Sequence, residues 1–127
     1  MKKLMDFKEM ERRYSAGEDS LELTVEKWNR IYEFLESAFD LAHFNEALQA
    51  AVVPLFLCVE YRDRCEYCPL FRICEKGKSE EFARVMRVIQ AYIIAGDVLP
   101  REPLLGVVGS FLEELKKCKN DASGRAH

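Results

Sequence analysis

The sequence predicts an all-α fold, a single bundle-like domain of about five helices with a four-cysteine loop, from three observations. No stretch shows strict apolar–polar alternation, and no Asn-Gly or Asp-Gly pair marks a hairpin. Apolar residues recur at steps of three and four, the period of a helix with one buried face. Residues that open and close helices fall between those periodic segments.

Leu4 to Tyr14 reads as a short charged helix, and SAGEDS, residues 15–20, as a loop. A stronger helix opens at Thr24, an N-cap by type, and runs to about Leu41. Its stripe is Trp28, Ile31, Tyr32, Leu35, Phe39 and Ala42. Asn45 caps a third helix, Glu46 to about Tyr61, apolar on most sides and kinked or split at Pro54, which lacks a backbone donor. Ser79 caps a fourth, opened by Glu80 and Glu81, with Phe82, Val85, Met86, Ile89 and Ile93 as its stripe. Gly96 is a natural stop just beyond its end. The linker DVLPRE leads to Pro103 in the first turn of a last helix, where Leu104, Val108, Phe111, Leu115 and Cys118 share a face. Residues 1–119 form the domain, and 120–127 read as a flexible C-terminal tail.

Composition narrows the function classes. The chain has 127 residues, 49% apolar and 32% charged, which suits one folded domain and not a disordered chain. Its formal net charge is −3, so no global electrostatic pull toward nucleic acid exists. The N-terminus MKKLMDFKEMERRY lacks the apolar core of a secretory signal. The longest uncharged run, Ala47 to Val59, is too short for a bilayer and reads as a buried helix. A soluble, cytoplasmic protein is expected, in a reducing compartment that leaves thiols available to metal.

The chemistry is concentrated in CVEYRDRCEYCPLFRIC. It holds Cys58, Cys65, Cys68 and Cys74, four of the five cysteines, at intervals C-x6-C-x2-C-x5-C. Four thiolates this close can converge on one centre, and the expected occupant is a metal or an iron–sulfur cluster. Structural zinc sites usually pair two short C-x2-C units, and only one is present here, although a single four-cysteine zinc ion stays open. A disulfide framework would need an oxidising compartment or a thermophilic source.

The spacing resembles the iron–sulfur loop of the endonuclease III family of DNA glycosylases. The likeness extends to Arg62 and Arg64 before the second cysteine, Pro69-Leu70 after the third, and Cys74-Glu75 at the close. CEYCPLFRIC also looks like the C-x2-C-x5-C segment of iron–sulfur nucleases. The resemblance implies a [4Fe–4S] cluster with Cys58, Cys65, Cys68 and Cys74 as ligands. It covers residues 58–75 and carries neither the helix-hairpin-helix nor the catalytic Asp of that family; Leu105 to Gly109 comes after the loop and reads as helix with two tolerated glycines.

Charge is uneven along the chain. Residues 1–60 are net −5, residues 61–87 net +2, and residues 88–127 balance. A basic lobe of Arg62, Arg64, Arg72, Lys76 and Lys78, with Tyr61, Tyr67 or Phe71 for stacking, suits phosphate contact. The same residues also suit simple solvation or offset of the thiolates' charge, since Asp63, Glu66, Glu75, Glu80 and Glu81 are interleaved. Glu33, Glu36 and Asp40 read as a solvated acidic face. Asp40 and His43 resemble half of a di-iron pair whose other half is missing. Cys118 continues an apolar stripe and reads as a buried thiol. No catalytic constellation is readable. The expected protein is a non-catalytic [4Fe–4S] protein with a structural cluster, binding nucleic acid or a protein of nucleic-acid metabolism. A redox protein and a zinc-stabilised interaction subunit are the alternatives.

Overall fold

Three aspartates start the first three helices. In each case a carboxylate oxygen accepts the N–H three residues on, an orphan donor of the first turn. The computed structural model describes residues 3–38, 40–52, 60, 62, 67, 68, 70 and 81–125, with side chains through 120. Asp6 caps α1 (Phe7–Ser15) by accepting from Glu9 at 2.8 Å. Asp19 caps α2 (Ser20–Glu36) by accepting from Glu22 at 3.0 Å. Asp40 caps α3 (Leu41–Ala51) by accepting from His43 at 2.9 Å. Then come α4 (Glu81–Ala95) and α5 (Glu102–Arg125). The fold is all-α, with five helices and no strand among the described residues.

Several helix boundaries differ from those the sequence predicts. Thr24 does not cap α2: it lies inside the helix, buried, and its hydroxyl donates to the Ser20 carbonyl at 2.9 Å. That back-bond uses the hydroxyl within the helix and leaves the capping to Asp19. α2 also ends at Glu36, not near Leu41, so Ala42 belongs to α3 and is exposed. Asn45 is an exposed interior residue of α3. The expected kink at Pro54, the continuation toward Tyr61 and the Ser79 cap lie outside the described residues. α1 begins at Phe7, three residues later than expected, and α5 continues through Arg125, beyond the expected end near 119.

α2, α3, α4 and α5 close a ring, each packed on the next and α5 back on α2, while α1 lies outside against α2. The main core is filled from these four helices: Trp28, Ile31 and Leu35 of α2, Phe44 and Ala47 of α3, Val85 and Ile89 of α4, and Leu104, Val108, Phe111, Leu115 and Cys118 of α5. Trp28 stands edge-on to Phe111, with centroids 4.8 Å apart, and to Phe82 at 6.4 Å, an arrangement that favours the ring quadrupoles. These three rings join α2, α4 and α5.

Gly96 ends α4 for a different reason than left-handed backbone. Among the described residues Gly17, at φ 98°, has the positive φ, in the turn between α1 and α2. At Gly96 the chain passes so close to the Phe44 ring that no Cβ fits. The Tyr92 hydroxyl then donates to the Pro100 carbonyl at 2.5 Å, and Arg101 donates to the Glu36 carbonyl at the end of α2, also at 2.5 Å. The linker is thereby held at both ends.

α1 has its own small core of Met5, Met10 and Leu23, flanked by Tyr14. An ion cluster also ties α1 and the turn after it to α2. Arg13 reaches Glu26 at 2.5 Å, Glu18 at 2.7 Å and Glu9 at 3.2 Å, and Arg30 reaches Glu26 at 2.5 Å and Glu9 at 2.9 Å. The Arg13 hydrogen bond holds the Glu26 carboxyl below the ordinary carboxylate range. Burial pushes Glu9 upward, but hydrogen bonds from Arg30 and Arg13 outweigh it, and the net shift is downward.

Candidate metal centre

Of the four cysteines, Cys68 lies among the described residues; Cys58, Cys65 and Cys74 lie outside them. Cys68 is half-buried and packs against the main core. Tyr67 before it is 70% exposed, whereas Leu70 two residues on is buried within the core. The segment therefore turns one side chain outward and drives another inward within four residues. Leu70 occupies the leucine of the Pro-Leu pair that carries part of the resemblance. A second anchor lies upstream. The Tyr14 hydroxyl of α1 donates to the Glu60 carboxylate, two residues after Cys58, and that bond raises the Tyr14 pKa.

α3 leads into the cysteine segment from Ala51, and its last carbonyls need partners. Lys27 of α2 supplies one: its side chain is buried, at 1% exposure, and Nζ donates to the Ala51 carbonyl at 3.0 Å. The ammonium also lies 5.9 Å from the centroid of the Trp28 ring. A cation at a helix C-terminus is favoured by the helix dipole. Sequence reading passed over Lys27, although the spacing held a signal. Thr24, Lys27, Ile31 and Phe34 follow one another at steps of three, four and three, which puts the lysine on a buried face.

The donor set suits the expected group. Four thiolates are soft ligands, the kind that hold iron–sulfur clusters and zinc. Cys68 is partly shielded by apolar packing, Leu70 is buried in the core, and Glu60 is bonded to Tyr14 of α1. Among the described residues no three His, Cys, Asp or Glu side chains are grouped so as to hold a metal ion. Cys118 is buried in the core among Phe111 and Leu115, in keeping with the apolar stripe.

The remaining candidates resolve into local structure. Asp40 is the α3 cap, and its Oδ1 also lies 3.3 Å from His43 Nδ1, so this pair forms a capping turn. His43 stands edge-on to Phe34, with centroids 5.7 Å apart. Glu33 and Glu36 line an open groove of about 610 Å³ between α2 and α5, together with Tyr32, Gly109, Glu113 and Lys116; Asp40 is not part of it. Of the basic residues, Arg62 is described and exposed, in a turn. Arg64, Arg72, Lys76 and Lys78 lie outside the described residues. No helix among the described residues is long and apolar enough to cross a membrane. No family model, curated protein or solved structure matches the chain.

Proposed function

We propose that the protein carries a [4Fe–4S] cluster on Cys58, Cys65, Cys68 and Cys74. In this reading the cluster is structural, and the protein binds nucleic acid or a protein that processes it. The observation that carries the proposal is the four-cysteine spacing together with its matched neighbours, Arg62, Arg64, Pro69-Leu70 and Glu75. The anchoring of the segment at Glu60 and Leu70 supports a structural role. Iron–thiolate bonds, when formed, link points of the loop up to sixteen residues apart in the sequence. Metal binding then contributes directly to folding.

Nucleic-acid binding draws on the positive stretch 61–87 and on Arg62, which is exposed beside the cysteines. Phosphate contacts release counterions, so affinity falls linearly with salt on a log–log scale, by about 0.9 in slope for each duplex phosphate neutralised. Anisotropy titrations of cluster-replete protein with labelled single- and double-stranded oligonucleotides, at stepped salt, test this. Changing Arg62, Arg64 and Lys76 together to Ala should weaken binding for every sequence and flatten the slope, with iron content unchanged. Absence of binding at low salt removes nucleic acid from the proposal.

A redox role is the second reading, favoured by the partial exposure of Cys68. A cluster that solvent and a docking partner can approach exchanges electrons more readily than a sealed one. It predicts a reversible one-electron change near physiological potentials and no salt-dependent oligonucleotide binding.

A further inference from the structure

α4 buries Val85, Ile89 and Tyr92 in the bundle. The face opposite them should be polar. It begins so, with Arg84 and Arg87, and then continues through Ala91, Ile94 and Val98 at steps of four, three and four. All five are exposed: Ile94 at 80% and Val98 at 78%, with Leu99 beside them at 40%. The turn after the helix keeps Val98 in line, since the N–H groups of Val98 and Leu99 both bond to the Ala95 carbonyl, at 3.0 and 3.1 Å. A run of exposed aliphatic side chains on one face is unusual for a surface that stays in water.

We infer that this face of α4 pairs with the same face of a second copy of the chain, the two helices antiparallel about a two-fold axis between Ala91 and Ile94. Size and charge both select this occupant. With the axis there, Ala91 of each copy lies opposite Ile94 of the other, a small residue against a large one. Arg87 lies opposite Val98, so its alkyl stem covers the valine. The same register sets Arg87 of one copy beside the turn that follows α4 in the other, the turn that carries Asp97 next to Val98. Arg87 and Asp97 are exposed and have no hydrogen bond or ion pair among the described residues. Two-fold symmetry makes each such contact twice. A parallel arrangement would set Arg84 and Arg87 against their own copies.

The contact covers about three turns of α4 and the turn after it, at the small end of specific interfaces, so a reversible, concentration-dependent dimer is expected. Sedimentation velocity of the purified full chain, from about 1 to about 300 µM, should show a reversible monomer–dimer equilibrium. Ile94→Glu should weaken the dimer more than about tenfold and leave the circular dichroism spectrum unchanged, because the side chain is exposed in the monomer. Arg87→Asp should weaken it as well, and the swap Arg87→Asp with Asp97→Arg should restore it. A monomer at every concentration, a dimer indifferent to Ile94→Glu, or a swap that fails to restore the dimer overturns the inference.

Discussion

Replacing Gly96 by Ala should destabilise the protein, and replacing Gly106 by Ala should stabilise it. In both cases the new methyl restricts the unfolded chain, which favours the native state by about 0.4–1 kcal/mol. The native environments then decide the sign. At Gly96 a Cβ would fall 2.5 Å from the Tyr92 carbonyl oxygen and 2.7 Å from Phe44 Cδ2, with Phe44 Cε2 nearer still. Neither neighbour has room to yield. Phe44 is buried with its ring centroid 5.6 Å from that of Tyr92, and Tyr92 is tied through its hydroxyl to Pro100. Overpacking of this kind costs about 1–3 kcal/mol, and contact with backbone puts Gly96 at the upper end. The clash outweighs the entropy gain, and Tm should fall by roughly 5–10 °C. Gly106 lies within α5 and a Cβ there meets nothing within 4 Å. The helix gains about 0.5–1 kcal/mol, and Tm should rise by about 2–4 °C. Gly109 is intermediate: a Cβ would lie 3.3 Å from Tyr32 Cε2, the edge of a half-buried ring that can swing aside. Thermal melts of the variants in one metal state read the comparison. A Gly96→Ala protein as stable as the parent, or the same sign of shift for both, would refute the reasoning.

The α1–α2 ion cluster should make the protein sensitive to acid. Glu26 and Glu18, both hydrogen-bonded by Arg13, and Glu9 have folded pKa values below the ordinary 4.5. Their stabilisation is fully present above that value and lost as pH falls through the depressed folded values. Denaturant unfolding followed from about pH 7 downward should show this loss, and Arg13→Met should flatten it; equal acid slopes would assign the sensitivity elsewhere. Asp40→Ala should cost about 1 kcal/mol by removing the α3 cap, whereas Asn45→Ala should be neutral or slightly stabilising. The reverse order in urea denaturation would return the helix start to Asn45.

The helices were readable where one face is apolar and unbroken. Leu104, Val108, Phe111, Leu115 and Cys118 are all buried on α5, as their spacing predicts. Trp28, Ile31 and Leu35 on α2 behave likewise. Starts were less legible, because Thr24 and Asn45 have capping chemistry but lie inside helices that begin earlier. A better signal was present at two of the three starts: Asp6 and Asp19 each precede a glutamate by three residues, Glu9 and Glu22. The break between α2 and α3 was missed because the stripe continues in register to Phe39 and Ala42, so periodicity alone joins two helices. Gly96 was legible as a stop, but its cause, the nearness of Phe44 some fifty residues earlier, is a tertiary fact. For the candidate metal centre, ligand types and spacing are legible in the sequence. Burial of Leu70 and the Tyr14–Glu60 bond come only from the folded chain.

The iron and acid-labile sulfide content of protein prepared anaerobically tests the central claim most directly. A single cubane on four cysteines predicts about four irons and about four sulfides per chain, with broad absorption near roughly 400 nm. Serine at Cys58, Cys65, Cys68 or Cys74 should abolish or cripple iron binding and lower stability, while Cys118→Ser should leave the iron in place. One zinc per chain with no iron, or iron lost from Cys118→Ser and kept in Cys58→Ser, would contradict the account.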